Sequence, residues 1–239
     1  MILSVQMYSL RNDVGRDGLE TVFKKIKAAG FGGVEFAGTY NMRLDDLKKM
    51  LDDNGLVATG AHVGWDLLNK SVAECVDTAA ALGYKDIICP GIWKDEIWQP
   101  DIYDRVNAIA AEIPAGYRFG YHNHSHEFEK GDFLKGLYDN VPSILFEPDT
   151  FWLKAAGKDP VAYCGTLAPR VMALHLKELS AKGVEDFNPI PGEGVTGCAD
   201  VVRLGRRLGH DYIVLEAENL AIPYDEYLAL TARFVASVD

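Results

Sequence analysis

The sequence predicts an α/β protein whose strands close into a (β/α)8 barrel, a single domain over residues 1–239. Three observations predict it. Short apolar runs alternate with longer amphipathic ones from end to end. The alternation makes eight β-then-α units, and parallel strands need such crossovers between them. The 239 residues suit a closed barrel of roughly 250 better than an open sheet, and no G-x-G-x-x-G turn follows the first strand.

ILSVQM (2–7) reads as strand one. A helix over 18–30 follows, with Leu19, Val22, Phe23, Ile26 and Ala29 at helical spacing and Gly30 closing it. GVEF (33–36) is strand two and 44–55 a helix that stops at Asn-Gly; VATGAHV (57–63) is strand three and 71–83 its helix. DIICP (86–90) leads to a helix around 100–112, and YRFGYH (117–122) to a short one near 132–139. SILFEPD (143–149) precedes a helix over 159–167, and VMALHL (171–176) one over 198–209. YIVLEAE (212–218) and a helix from about 224 complete the series, with no Pro/Ser-rich linker and no low-complexity tract.

Composition narrows the function. A net charge of −11 disfavours a nucleic-acid partner, which would want clustered Lys and Arg. The cysteines, Cys75, Cys89, Cys164 and Cys198, form no C-x-x-C pair, which disfavours structural zinc and fits a reducing, cytoplasmic compartment. The N-terminus does not read as a signal peptide, and no run approaches the ~20 apolar residues of a bilayer span, so no membrane partner is expected.

The polar residues fall where a barrel puts its chemistry, at the carboxyl ends of the strands. Glu35 ends strand two, His62 strand three, His122 strand five, Glu147 and Asp149 strand six, His175 strand seven, and Glu216 and Glu218 strand eight. Each alone fits a satisfied polar strand end. Four consecutive strands carrying them suggest a shared site, and imidazoles with carboxylates suit Zn²⁺, Mn²⁺, Co²⁺ or Fe²⁺. The run YHNHSHEFE (121–129) adds His124, His126 and Glu127 beside His122. Pro148 restrains the backbone before Asp149, which fits either a ligand or the N-cap of the next turn. Lys177, two residues past His175, points to the same side and is either a donor to a substrate oxygen or a surface lysine. Glu35 suits a floor position or a pairing with Arg11. Gly192-Glu193-Gly194 reads as a tight turn more readily than as a phosphate site, because Glu193 brings negative charge. Tyr8, Trp65, Trp93 and Trp152 follow strands one, three, four and six, where flat rings stack on sugars or pack as lids.

On SVQMYSLRND (4–13), AAGFGGVEFAG (28–38), GLVATGAHVG (55–64), GYHNHSHEFE (120–129), FEPDTFWLKAAGKDP (146–160), HLKE (175–178), PGEGV (191–195) and YIVLEAEN (212–219), the whole chain resembles the xylose-isomerase-like TIM barrels. These are the sugar phosphate isomerases and epimerases, with ketose 3-epimerases, inosose dehydratase and AP endonucleases as kin. The resemblance implies a divalent ion (Mn²⁺, Zn²⁺, Co²⁺, Mg²⁺ or Fe²⁺) on four ligands from strands five to eight. Asp149-Thr150-Phe151 looks like the strand-six Asp-Thr-aromatic of the epimerases, His175 like their strand-seven His, and Glu216 like their strand-eight Glu. Tyr121-His122-Asn123-His124 stands where many relatives have Y-E-N-H, so His122 takes the place of a Glu that is both ligand and base. The two-carboxylate proton relay of the epimerases is therefore changed, leaving Glu216, His124, Glu127 and Lys177 as proton-transfer candidates, with Glu218 as the alternative to Glu216.

The reading is a metal-dependent isomerase, epimerase or dehydratase that takes a proton from the carbon next to a carbonyl of a sugar, keto-sugar or sugar phosphate through an enediolate. Glu216, His124 and Lys177 are its expected catalytic residues, with Tyr8, His62, Trp65, Glu127 and Trp152 around the substrate. A non-catalytic sugar-binding barrel is the alternative. A nuclease like the AP endonucleases is disfavoured by the acidity and by Trp152, where that family has a His. The partner is a small carbohydrate, and a homo-oligomer is left open.

Overall fold

The computed structural model of the chain describes residues 1–239. Eight parallel strands run β1 (Ile2–Gln6), β2 (Gly33–Ala37), β3 (Val57–His62), β4 (Asp86–Cys89), β5 (Arg118–His122), β6 (Leu145–Glu147), β7 (His175–Leu176) and β8 (Tyr212–Leu215). They lie in the order β6-β5-β4-β3-β2-β1-β8-β7. The seam between β6 and β7 is bridged at Phe146–Val171 and Asp149–His175, which brings the sheet round into a (β/α)8 TIM barrel.

The helices are α1 (Arg11–Asp17), α2 (Leu19–Ala28), α3 (Leu44–Asp53), α4 (Trp65–Lys70), α5 (Val72–Leu82), α6 (Ile102–Glu112), α7 (Phe133–Asn140), α8 (Thr150–Ala155), α9 (Pro160–Leu167), α10 (Cys198–Leu208) and α11 (Tyr224–Ser237). The expected long helices are present within a few residues of their ends. The short α1, α4 and α8 were not expected; each follows a strand and builds part of the barrel's mouth. Strands six and seven are shorter than the apolar runs 143–149 and 171–176 suggest. Pro148 has no N–H for the ladder, so regular pairing of β6 stops at Glu147.

Side chains of a strand alternate between barrel interior and helix layer. On β5, Phe119 and Tyr121 join the large core cluster under the helices, as do Ile213 and Leu215 of β8 and Ile87 and Cys89 of β4. The opposite phase, Ile88, Tyr212 and Val214, packs with Met172 and Ala173 in a separate small cluster. Two residues further along that inner phase, His122 follows Gly120 and Glu216 follows Val214. The same phase of β1 and β2 gives Gln6 and Glu35, which are paired in register. An apolar plug therefore underlies a polar layer at the carboxyl ends. All four cysteines are free and buried, and no helix is long and apolar enough to cross a membrane.

Candidate metal centre

Four buried side chains from β5 to β8 and their ends, His122, Asp149, His175 and Glu216, each bring one ligand atom within 4.8 Å of the others. His175 Nδ1 lies 3.1 Å from Glu216 Oε2, and His122 Nε2 lies 3.9 Å from Asp149 Oδ2. Asp149 serves both of its sequence readings. Its Oδ1 caps α8 by accepting from Trp152 N at 3.0 Å, while Oδ2 is buried without a partner. Asn123, which sequence reasoning missed, fixes this residue's backbone: its Oδ1 accepts from Asp149 N at 3.0 Å.

Below these four lies a second layer. Glu35 and Glu147 are fully buried. Gln6 Nε2 donates to Glu35 Oε1 at 2.6 Å, His175 Nε2 is 2.9 Å from the same oxygen, and His62 Nε2 is 3.2 Å away. Glu147 Oε2 lies 3.0 Å from His62 Nε2, 3.1 Å from His175 Nε2 and 3.6 Å from His122 Nδ1. His62, His122, Glu147 and His175 thus form a deeper grouping that shares both imidazoles with the upper one.

The shared rings decide where an ion fits. Each has one nitrogen facing the Asp149–Glu216 side and the other facing the Glu147–Glu35 side. A metal-bound imidazole keeps its second N–H for a carboxylate or carbonyl, which fixes tautomer and ring orientation. The lower carboxylates supply that acceptor, and the upper set supplies two nitrogens, two carboxylates and the unpartnered Asp149 Oδ2. This donor set fits a borderline divalent ion. Glu147 and the link from Glu35 to His175 were not assigned a role from the sequence, although Glu147 stands out as the one charge within the run ILFEP.

Without an ion the layer is electrostatically crowded. Burial, with the Glu216 carboxylate, pushes Asp149 up to about 7 against the pull of Lys177 and His175. Burial, with Glu147, likewise pushes Glu35 up to about 7. Glu216 is also raised by burial, but Lys177 and His175 outweigh this and hold it well below the usual carboxylate range. Burial holds the His122 imidazole well below its ordinary value. For His175 burial works in the same direction, yet Glu147 and Glu35 overcome it and raise the ring well above its ordinary value.

Lys177 is not a surface lysine. It is almost wholly buried, and its Nζ donates to Glu216 Oε1 and Glu218 Oε1 at 2.8 Å each. Burial lowers its pKa, but Glu216, Asp149 and Glu218 outweigh this and raise it, so the ammonium stays charged. Its nitrogen also sits 5.0 Å over the Phe151 ring and 5.3 Å from the Trp152 ring.

A cavity of about 420 Å³ opens over the upper layer. Tyr8, His62, His122, His124, Trp152, Glu216 and Glu218 are among its lining. The structure places six expected contact or proton-transfer residues, Tyr8, His62, His124, Trp152, Glu216 and Glu218, on this wall. It moves others away. Trp65 is buried and donates to Glu96 Oε2 at 3.1 Å, so its ring serves packing. Trp93 is 61% exposed and donates to Asp66 Oδ1 at 3.1 Å. Glu127 lies behind His124, accepting from the Tyr121 hydroxyl and from His124 N at 2.9 Å each. The Glu35–Arg11 pairing does not form. Arg11 instead stacks 4.0 Å over Tyr8 and reaches Glu218 at 3.6 Å.

The glycine-rich turn after β7 wraps a carboxylate of the chain itself. Buried Glu178 accepts from Gly192 N and Thr196 N at 2.8 Å each and from Leu179 N at 3.2 Å. A Cβ at Gly194 would stand 2.2 Å from the Leu179 carbonyl oxygen. The amides that a phosphate would use are taken, in keeping with the tight-turn reading.

An eight-stranded parallel barrel with His and carboxylate side chains at the carboxyl ends defines the class. Residues 23–236 match the family described as Xylose isomerase-like TIM barrel, and the chain belongs to that family. No curated protein matches it. Among solved structures, a sugar phosphate isomerase/epimerase from Parabacteroides distasonis is 22% identical with a TM-score of 0.80, covering 99% of this chain and 95% of that one. The probable 3-DHS dehydratase of petrobactin synthesis from Bacillus anthracis is 15% identical with a TM-score of 0.79, covering 100% of each chain. D-Psicose 3-epimerase from Clostridium cellulolyticum, solved with D-tagatose, is 14% identical with a TM-score of 0.72, covering 100% of this chain and 99% of that one.

Proposed function

We propose that this chain is a divalent-metal-dependent isomerase, epimerase or dehydratase of a sugar, keto-sugar or sugar phosphate. The observation that carries the reading is the meeting of His122, Asp149, His175 and Glu216 with one ligand atom each inside 4.8 Å, beneath a cavity of monosaccharide scale. The ion, when bound, supplies a Lewis acid that polarises a carbonyl and stabilises charge as the adjacent C–H loses its proton.

The chain's own groups divide the remaining work. Glu216 faces the cavity as a carboxylate, the form that accepts a proton; Lys177 and His175 keep it ionised and lower its basicity. His124 stands on the same wall, and burial lowers its imidazole to about 4, so it is neutral at pH 7 and able to donate or accept. Lys177, charged and tied to two carboxylates, is a poor base; it orients Glu216 and offsets its charge. Tyr8 and Trp152 offer ring faces to the substrate. With His122 in the strand-five position, the proton route is asymmetric and pairs a carboxylate with an imidazole.

The test is proton exchange with solvent. Metal-loaded protein incubated in D₂O with a panel of keto-sugars is expected to place deuterium at the carbon next to the carbonyl of at least one sugar. Glu216→Gln should abolish that signal. Metal-loaded protein that binds a sugar without exchanging any proton would sink the enzyme reading and leave a binding barrel.

A further inference from the structure

The run H-N-H-S-H-E carries three histidines, and only His122 enters the centre described above. We propose that His124, His126 and Glu127 form a second divalent-cation site, of the zinc class, on the loop that follows β5. The short 3-10 turn His126–Phe128 folds the loop back so that the three residues bring one ligand atom each within 4.8 Å.

The hydrogen bonds of His126 leave a gap that a cation fills. Its Nε2 lies 3.4 Å from the Ile92 carbonyl oxygen, which can only accept, so the tautomer that donates there carries a lone pair on Nδ1. That Nδ1 faces Glu127 Oε2 at 3.4 Å. Two lone pairs pointed at one another repel unless a positive charge stands between them. His124 Nδ1, the third donor, is buried without any partner.

The surroundings are built for this arrangement. The Glu127 carboxylate is completely buried and already oriented by the Tyr121 hydroxyl and His124 N, while each of its oxygens keeps a further lone pair. Gly91, at φ +125°, borders the same atoms: a Cβ there would stand 3.4 Å from His124 Nδ1 and 4.0 Å from Glu127 Oε1. Two imidazoles and one carboxylate leave a fourth position for water, as in three-ligand zinc sites. An ion on His124 Nδ1 puts the ring proton on Nε2, which makes His124 a hydrogen-bond donor on the cavity wall it lines. The inference stands on loop residues alone and does not depend on the first centre.

Metal-free protein saturated with Zn²⁺, dialysed and assayed by elemental analysis is expected to hold two ions per chain. His126→Ala and Asp149→Asn should each hold one. The His126 side chain is 23% exposed, so its truncation should leave the fold intact, checked by circular dichroism. A His126→Ala protein that binds as much Zn²⁺ as wild type overturns the second site. If Asp149→Asn keeps both ions while His126→Ala loses one, the second site stands and the first centre falls.

Discussion

Glu147 shows how a residue with no solvent contact can govern the candidate metal centre. Its Oε2 lies within 3.6 Å of nitrogens of His62, His122 and His175, so its charge sets where those rings carry their protons. Glu147→Gln keeps the shape and removes the charge, and is expected to weaken divalent-ion affinity by about 10–100-fold, measured by competition with a chelator. Lys177 plays the complementary part. Lys177→Met removes the buried ammonium between Glu216 and Glu218, and should cost about 3 kcal/mol in chemical denaturation of the metal-free protein. The loss should shrink when the ion is added. The sequence displayed these charges: Glu147 breaks the apolar run 143–149, and Lys177 follows strand seven two residues past His175. It did not display their pairings: Glu35 and His175 are 140 positions apart, and only the closed barrel decides that Glu35 meets His175 and not Arg11.

Elements were legible in proportion to their length and apolar pattern. The helices of ten or more residues, such as α2, α5 and α11, bury residues at helical spacing and were read from it. The helices α4 and α8 have six residues each, too few to show a period, and they shape the walls of the mouth. Trp65 and Glu127 went astray for that reason, since their direction is set by a short turn and not by strand alternation. The loop after β7 depends on close backbone contact. Gly194→Ala would drive a methyl group into the Leu179 carbonyl and the Glu178 side chain, and is expected to cost on the order of 2 kcal/mol, read as a lowered Tm. The β6–β7 seam is the thinnest part of the sheet, with two isolated bridges and no continuous ladder. Asp149 and His175 stand on opposite sides of it, so an ion held by both would staple the barrel shut. Hydrogen exchange at His175 N, which donates to Pro148 O at 3.1 Å, should slow when the ion binds, and unchanged exchange would argue against the staple.

The whole molecule stacks an apolar plug, a layer of buried carboxylates and imidazoles, the candidate ligand set His122, Asp149, His175 and Glu216, and an open cavity. The strand order and the inner phase of each strand bring this about; the sequence displayed the eight units and their polar strand ends. An ion that binds the folded chain alone also stabilises it, by about 2.7 kcal/mol at a hundredfold excess over its Kd, so thermal unfolding should shift upward with added Mn²⁺ or Zn²⁺. Asp149→Asn should lose most of the shift with Mn²⁺. Anomalous scattering from a crystal soaked in Mn²⁺ or Zn²⁺, recorded at the metal's absorption edge, tests the central claim most directly. The account predicts a peak about 2.0–2.2 Å from nitrogens of His122 and His175 and oxygens of Asp149 and Glu216. A peak seated instead among His62, Glu35 and Glu147, or none at the barrel mouth, would contradict it.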